Sequence, residues 1–226
     1  MTRGRRDDHG QSWSPDGGRI VFIRDWDLHV GSVWVVRRDG TGLVRLTRGG
    51  NDGSAAWSPD GRRIAFTRAH GDGRRSDLFV VRPDGGGRKR LSRGGDFPTW
   101  SPDGGSIAFV RDQQLFVVAA DGTGLRRLTQ VRTGVSAPSW SPQGERIAFQ
   151  VAAAGESANT YVIDASGGRP RVLGPGSVPT WSPDGRQITF LTCGLCDRRQ
   201  LWVMNADGSG RRRLTVNGFD PAWQPL

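Results

Sequence analysis

Two cysteines separated by two residues, Cys193 and Cys196, are the sequence feature with the clearest chemical potential. A structural zinc site takes four ligands, and because the chain has no other cysteine, the sequence disfavours such a site. A thioredoxin-like redox pair places its first cysteine at a helix N-terminus, and the surrounding sequence predicts no helix. The alternatives are a local disulfide, which would indicate an oxidising compartment, and two inert thiols; we favour the disulfide.

Other constellations that support catalysis are missing from the sequence. It contains no Gly-x-Ser-x-Gly nucleophile elbow and no phosphate-binding loop ending in Gly-Lys. His9, His29 and His70 have no metal-ligand spacing, and we interpret them as exposed loop residues. The sequence therefore predicts no catalytic residue, no metal and no cofactor, and it favours a protein that is not an enzyme.

The formal net charge of +10 raises the question of nucleic-acid binding. Lys89 is the only lysine, and arginines recur in every repeat described below, as Arg45, Arg90, Arg127, Arg171 and Arg213. A nucleic-acid site needs a basic patch on one face, whereas this spacing predicts a rim of separate charges, so we do not expect nucleic acid as a partner. No apolar stretch reaches the roughly 18 to 20 residues of a membrane span, and no signal-peptide core follows Met1.

An internal repeat determines where these residues are placed. Six of the nine tryptophans recur about every 42 residues, and the six are Trp13, Trp57, Trp100, Trp140, Trp181 and Trp223. Four of the six begin the sequence Trp-Ser-Pro-Asp-Gly. In that turn proline presets φ and glycine adopts a positive φ, so each tryptophan is predicted to end one strand of a hairpin.

Three further strands are predicted in each repeat. Second strands resembling Ile-Ala-Phe lie at 19–22, 63–66, 106–109, 146–149 and 187–190, and third strands at 33–36, 78–81, 115–118, 160–163 and 201–204. Their nearly continuous apolar runs indicate burial on both faces. An Asp-Gly turn then leads to a short fourth strand ending in Arg-Leu-Thr or Arg-Leu-Ser, which is typical of an outer edge. Four strands per repeat predict an all-β fold, a β-propeller of four-stranded blades.

The succession of Trp-Ser-Pro-Asp-Gly, Ile-Ala-Phe, Leu-(Phe/Trp)-Val, Asp-Gly and Arg-Leu-Thr resembles the WD40-like (PD40) propeller repeat of the TolB family. The resemblance covers nearly the whole chain. It implies a six-bladed ring with the tryptophan strand innermost. TolB itself is a periplasmic protein that binds other envelope proteins, and the α/β domain that precedes its propeller has no counterpart in this sequence.

Counting strands predicts one propeller domain over 1–226, with repeats starting near 9, 52, 96, 136 and 177 and a closing strand at 219–226. Five full repeats plus a sixth innermost strand indicate an incomplete six-bladed ring, and a five-bladed ring is the alternative. The first four residues resemble Leu46-Thr47-Arg48-Gly49, so our hypothesis is that Met1 is not the natural start and that an upstream segment supplies a blade and a signal peptide. The protein would then be periplasmic or otherwise extracytoplasmic; without that segment it would be cytoplasmic.

Loops that enter the tryptophan strands surround one mouth of the channel in TolB-like rings. In this chain they include Asp8 and Asn51, and we predict that partners are contacted by Asp52, Asp96, Phe97, Asn217, Phe219 and Asp220. Exposed aromatics beside carboxylates at a concave edge are typical of binding surfaces. The alternative is that Asp96 and Asp220 only accept hydrogen bonds from backbone amides in their own turns.

These observations favour a non-enzymatic scaffold that binds protein or peptide partners in the bacterial cell envelope. One alternative is the propeller part of a lyase or peptidase whose catalytic elements lie outside this chain. A second is a polyanion or nucleic-acid binder that uses the arginine rim. The sequence indicates no particular oligomeric state.

Overall fold

The computed structural model describes residues 7–25, 31–70, 75–153, 158–193 and 199–215, apart from the side chain of Cys193. These ranges contain twenty strands and no helix. The strands form five four-stranded antiparallel sheets, and within each sheet they follow one another in chain order. The predicted all-β fold of four-stranded repeats is therefore confirmed.

Contacts divide the chain into two compact units. Unit 1 comprises Met1–Asp112 and Val118–Leu125, and unit 2 comprises Gln113–Val117 and Arg126–Leu226. The proposed closing strand at 219–226 lies outside the described residues. The assignment of a single domain, the repeat starts and the number of blades stay predictions.

The first three sheets begin with a strand that ends in tryptophan. Sheet 1 consists of β1 (Asp8–Trp13), β2 (Arg19–Asp25), β3 (Gly31–Arg37) and β4 (Val44–Arg45). Sheet 2 consists of β5 (Asn51–Trp57), β6 (Ile64–His70), β7 (Arg75–Val81) and β8 (Lys89–Ser92). Sheet 3 consists of β9 (Asp96–Trp100), β10 (Ser106–Arg111), β11 (Gln114–Ala119) and β12 (Arg126–Arg127).

The last two sheets follow the same order. Sheet 4 consists of β13 (Val135–Trp140), β14 (Arg146–Ala152), β15 (Ala158–Asp164) and β16 (Arg171–Pro175). Sheet 5 consists of β17 (Ser177–Trp181), β18 (Gln187–Cys193), β19 (Arg199–Asn205) and β20 (Arg212–Thr215). Fourth strands are two to five residues long, as expected for outer edges.

The hairpin between first and second strands is held by a buried serine. In sheet 2 the Ser58 hydroxyl donates to Asp60 Oδ1 at 2.5 Å and accepts the backbone amide of Arg63 at 2.9 Å. Equivalent bonds occur at Ser14, Ser101 and Ser182. Each hydroxyl holds the pKa of its aspartate below the ordinary value, because the bond favours the charged carboxylate.

Apolar side chains of successive sheets make the core of each unit. In unit 1, Val21 and Ile23 of sheet 1 cluster with Trp57 and Phe66 of sheet 2. In unit 2, sheet 4 contributes Ala148, Val162 and Leu173, which cluster with Trp181 and Phe190 of sheet 5. The second-strand phenylalanines Phe66, Phe109, Phe149 and Phe190 are fully buried, and each such burial stabilises the fold by about 1.5–3 kcal/mol.

Tryptophan and arginine also connect successive sheets through polar contacts. The Trp100 indole donates to the carbonyl of Ala56 at 3.1 Å, and the Arg63 guanidinium lies 5.1 Å from the Trp100 ring centroid. In unit 2, Trp181 donates to the carbonyl of Ser139 at 3.1 Å and lies 5.0 Å from Arg146. β9 is thus fixed to sheet 2, and β17 is fixed to sheet 4.

Candidate functional site

Each first strand contains a β-bulge three residues before its tryptophan. The bulge residues have positive φ: Gly10 at 63°, Ser54 at 43° and Phe97 at 53° in unit 1, and Ala137 at 48° and Val178 at 49° in unit 2. The strand register shifts at the same point in every sheet. A bulge places two residues opposite one, which bends the strand and redirects its side chains.

Phe97 is the large aromatic side chain among these bulge residues. Its side chain is 50% exposed, although its left-handed backbone conformation costs roughly 1–2 kcal/mol for a residue with a Cβ atom. Strain of this kind persists only where the surrounding structure imposes it, and it concentrates at binding and catalytic sites. The surrounding bulge therefore holds an aromatic ring toward solvent.

Asp96 lies next to Phe97, is exposed, and faces Val110 across the sheet. The side chain of Ser76, on β7, hydrogen-bonds to its carboxylate. The protein nevertheless raises the pKa of Asp96 above its ordinary value, because it displaces part of the water that would solvate the charge. The pair formed by Asp96 and Phe97 is named the 96–97 edge here.

Asp52, by contrast, is buried. Its side chain has 0% exposure, and its two oxygens accept from Arg68 Nε at 2.5 Å and Arg68 Nη2 at 2.9 Å. The Thr47 hydroxyl donates to the same carboxylate. Asp52 thus connects β5 to β6 and to the loop after β4, and its role in partner binding stays a prediction.

A one-residue offset separates these two aspartates. Asp52 lies five residues before its tryptophan and directly opposite Arg68, whereas Asp96 lies four residues before Trp100. Neighbouring strand residues point to opposite faces. Asp96 therefore does not occupy the position that faces an arginine across the strand, as Asp52 does. The fifth position in sheet 3 is Gly95, where a Cβ atom would lie 3.0 Å from Leu78 Cβ.

Two histidines predicted to be exposed loop residues are exposed but belong to strands. His9, on β1, lies 3.2 Å from Asp25, and His70, at the end of β6, lies 3.0 Å from Asp77. Asp77 also accepts from Arg90 and from the backbone amide of Gly94. A carboxylate therefore lies within hydrogen-bond distance of each ring, and the described part of the chain has no group of three or more side chains arranged to hold a metal.

Several rim cations bond to the sheet that follows them. Lys89 donates to the carbonyl of Asp121 at 2.6 Å, Arg126 to that of Ser166 at 2.8 Å, and Arg171 to that of Asp207 at 2.8 Å. The sequence suggested only solvated charges at such positions. Because these cations are already bonded to protein oxygens, they are less available to phosphates.

The remaining predicted residues cannot be placed in the site. Asn217, Phe219 and Asp220 lie outside the described residues, as do His29, Cys196 and the Cys193 side chain. Asn51 is described, and its side-chain oxygen accepts from the amide of Gly31 at 3.3 Å. Within the described ranges, no helix is long and apolar enough to cross a membrane.

Antiparallel four-stranded sheets that repeat in chain order, each starting from a tryptophan strand, define a β-propeller. The family model PD40, the TolB beta propeller domain, matches residues 6–133 and 98–226. The chain belongs to this family. Sequence reasoning identified the repeat but missed Ser76, the bulges and the pairing of Asp52; five different residue types occupy the bulge position, so residue type does not mark it.

Comparison with individual proteins adds two kinds of relative. The uncharacterized peptidase YuxL of Bacillus subtilis (strain 168) is 34% identical over 136 residues, covering 56% of this chain and 14% of that protein. The crystal structure of TolB from Acinetobacter baumannii is similar with a TM-score of 0.73 and 22% identity, covering 93% of this chain and 54% of that one. A chain from a nidogen/laminin complex has a TM-score of 0.69 and 15% identity, with coverage of 93% and 79%.

Proposed function

We propose that this propeller is a non-enzymatic scaffold that binds a protein or peptide partner at the 96–97 edge, in the bacterial cell envelope. The observation that carries the proposal is the half-exposed ring of Phe97 on a strained bulge beside an exposed carboxylate. Aromatic side chains supply most of the energy at interfaces, because they bury a large area at little entropic cost. The same positive-φ bulge occurs in all five described sheets and is part of the repeat, and in sheet 3 it carries an exposed aromatic ring that is available to a partner.

A comparison of the bulge residues within unit 1 supports the 96–97 edge as the binding site. The equivalent bulge residues of sheets 1 and 2 are Gly10 and Ser54, which offer a partner little apolar surface. Phe97 is therefore the aromatic anchor that the described bulges of this unit provide. The likeness to a chain of the nidogen/laminin complex supports the proposal at the level of fold, since that propeller-like chain belongs to a protein complex.

The other residues predicted to contact partners have separate places in this proposal. Asn217, Phe219 and Asp220 lie outside the described residues, and their contact with a partner stays a prediction. Asp52 would act indirectly, by holding β5 in the bent form that carries the bulge. A disulfide between Cys193 and Cys196 would fit an extracytoplasmic location.

Partner capture tests the proposal. The natural full-length protein and its Phe97→Ala variant are immobilised and exposed to extracts of the source organism at low and moderate salt, and captured proteins are identified and rebound in purified form. We expect a purified partner to bind the wild type at both salt concentrations and to bind the variant at least tenfold more weakly, the loss expected for an interface anchor. Ala137→Gly, which changes the equivalent bulge position of unit 2, is the control.

Two results would overturn the proposal. Equal binding of the partner to wild type and Phe97→Ala would remove the 96–97 edge as the site. Loss of every partner at moderate salt would indicate polyanion binding through the rim arginines, because such binding releases counterions. The compartment is tested on protein from the native host: free thiols at Cys193 and Cys196 in an exported sample would contradict the proposed disulfide.

The similarity to YuxL supports a second candidate, the propeller part of a peptidase. Its 34% identity exceeds that of the structural neighbours given above, while the matched region covers only 14% of that protein. The full open reading frame is the material for the test. Hydrolysis of fluorogenic peptides by the complete gene product, abolished by a serine-directed inhibitor, would establish the peptidase and overturn the scaffold.

A further inference from the structure

Three acidic side chains near the start of the first strands in unit 1 pair with an arginine, and a fourth lies within hydrogen-bond distance of a histidine ring. The pairs are Asp8 with Arg24 at 2.6 Å, Asp25 with His9 at 3.2 Å, Asp52 with Arg68 at 2.5 Å, and Asp77 with Arg90 at 3.2 Å. A carboxylate that loses hydration needs such a partner or a set of hydrogen-bond donors. The structure supplies one or both in these four cases.

Asp96 is the exception at this edge. Within the described residues it is hydrogen-bonded by the side chain of Ser76 and forms no ion pair. The arginine nearest in the β-ladder is Arg111, which follows the cross-strand partner of Asp96 and pairs with Asp112 at 3.4 Å. Asp96 therefore presents an exposed carboxylate that has no cationic partner among the described residues.

Phe97, the next residue in the chain, exposes an apolar ring. A lysine or arginine side chain has an apolar stem and a charged end, so it matches an aromatic ring next to a carboxylate. The protein already uses arginine with an aromatic ring inside unit 1, where Arg63 lies 5.1 Å from the Trp100 ring centroid and Arg19 lies 5.0 Å from that of Trp57. The 96–97 edge combines an exposed aromatic ring with an exposed acid, and no cation of the described chain pairs with Asp96.

We propose that the 96–97 edge binds a lysine or arginine side chain of a peptide segment, with the Asp96 carboxylate taking the charge and the Phe97 ring covering the aliphatic stem. This inference rests on the proposed function and specifies the chemistry of its partner. The overall charge of +10 opposes a cationic partner at long range. Salt screens that repulsion within about 8–10 Å, whereas contact between the carboxylate and the cation acts at about 3 Å.

A peptide array tests the inference directly. The full chain is labelled and applied to arrays of nine-residue peptides with mixed flanks, in which the central residue is lysine, arginine, norleucine, citrulline or glutamate. We expect retention on lysine and arginine to exceed that on norleucine and citrulline by about tenfold, which is the scale of one charge-assisted hydrogen bond. Norleucine keeps the aliphatic stem of lysine, citrulline keeps the length of arginine, and both lack the charge, so they isolate its contribution.

Variants assign the preference to the proposed residues. Asp96→Asn should bring the retention on peptides with a cationic centre close to that on peptides with a neutral centre. Asp96→Glu should keep part of the preference for the cationic centre. Phe97→Ala should weaken retention on all arrays. Asp164→Asn removes an exposed carboxylate at the end of β15 in unit 2 and should leave the ratio unchanged. Equal urea midpoints for all variants confirm that they are folded.

The outcomes distinguish this inference from the proposed function. Retention that depends on Phe97 but is equal for all five central residues would overturn the cationic specificity and support the scaffold. A cationic preference that survives Asp96→Asn would also overturn the inference, because the charge would then be recognised elsewhere. Retention that is equal for all five central residues, combined with partner capture that Phe97→Ala does not change, would overturn both the cationic specificity and the proposed function at the 96–97 edge.

Discussion

Replacing Asp52 by asparagine should lower the free energy of unfolding far more than replacing Asp8 by asparagine. Both aspartates lie five residues before a tryptophan and pair with an arginine opposite, Arg68 or Arg24. They differ in their access to water. The Asp52 side chain is 0% exposed and that of Arg68 12%, while Asp8 is 45% and Arg24 16% exposed.

The magnitudes follow from that difference. Asparagine keeps the shape of aspartate but removes the charge that balances Arg68, and breaking a buried ion pair from one side costs about 3–5 kcal/mol. The Thr47 hydroxyl also donates to the buried carboxylate. At Asp8, water can solvate the remaining arginine, so the loss should be about 1 kcal/mol or less. The loss of free energy of unfolding should therefore be several times larger for Asp52→Asn than for Asp8→Asn.

Urea denaturation followed by tryptophan fluorescence provides the measurement. With a slope of about 2–3 kcal/mol per molar urea, Asp52→Asn should lower the midpoint by roughly 1–2 M and Asp8→Asn by less than about 0.5 M. The double variant Asp52→Leu/Arg68→Met should recover part of the loss, because it leaves no buried charge unpaired. Equal midpoint shifts for the two single variants would refute the assignment of Asp52 as a buried structural anion. A fully stable Asp52→Asn protein that fails to capture its partner would instead support direct contact.

Two further predictions concern the contacts that hold the repeats. Trp100→Phe removes the indole donor to Ala56 and weakens the stacking of Arg63, so the free energy of unfolding should fall by about 1–2 kcal/mol; additivity with Arg63→Met in a double-mutant cycle would contradict this coupling. Ser182→Ala should raise the pKa of Asp184 toward its ordinary value, as followed by carboxyl NMR titration, because the hydroxyl that donates to the carboxylate is lost. Because the pKa of Asp184 is lower in the folded state, this carboxylate adds stability above the unfolded-state pKa of about 3.9, and that stability is lost as the pH falls through the folded-state pKa. The free energy of unfolding of Ser182→Ala should therefore depend less on pH below about 4 than that of the wild type. An unchanged titration of Asp184 in the variant would count against the hydrogen bond.

The fold follows from local sequence because its determinants are local. Pro-Asp-Gly after Trp57 specifies a tight turn, and the serine before it is bonded to residues within five positions. The apolar run that follows, from Ile64 to Phe66, then has one way to bury its side chains. These preferences repeat five times, so the sheets could be predicted without knowledge of any contact distant in sequence.

The candidate site was only partly predictable because it depends on cross-strand pairing. Positive φ recurs three residues before each tryptophan, but glycine, serine, phenylalanine, alanine and valine occupy that position, so residue type gives no consistent signal. The role of Asp52 is decided by Arg68, sixteen residues away and directly opposite in the ladder. A list of polar residues near the tryptophans cannot separate structural carboxylates from accessible ones.

Counting from the tryptophan does separate them. An aspartate five residues before it, such as Asp52, faces an arginine across the strand and is used by the fold, whereas Asp96, one residue later, faces Val110 and keeps its charge at the surface. Because side chains alternate along a strand, that single step places the two carboxylates on opposite faces of their sheets. Gly95 occupies the fifth position in sheet 3, where a Cβ atom would lie 3.0 Å from Leu78 Cβ and 3.1 Å from Phe109 Cδ2. A longer side chain there would have to displace these neighbours, so packing in the core disfavours an aspartate at this position of sheet 3.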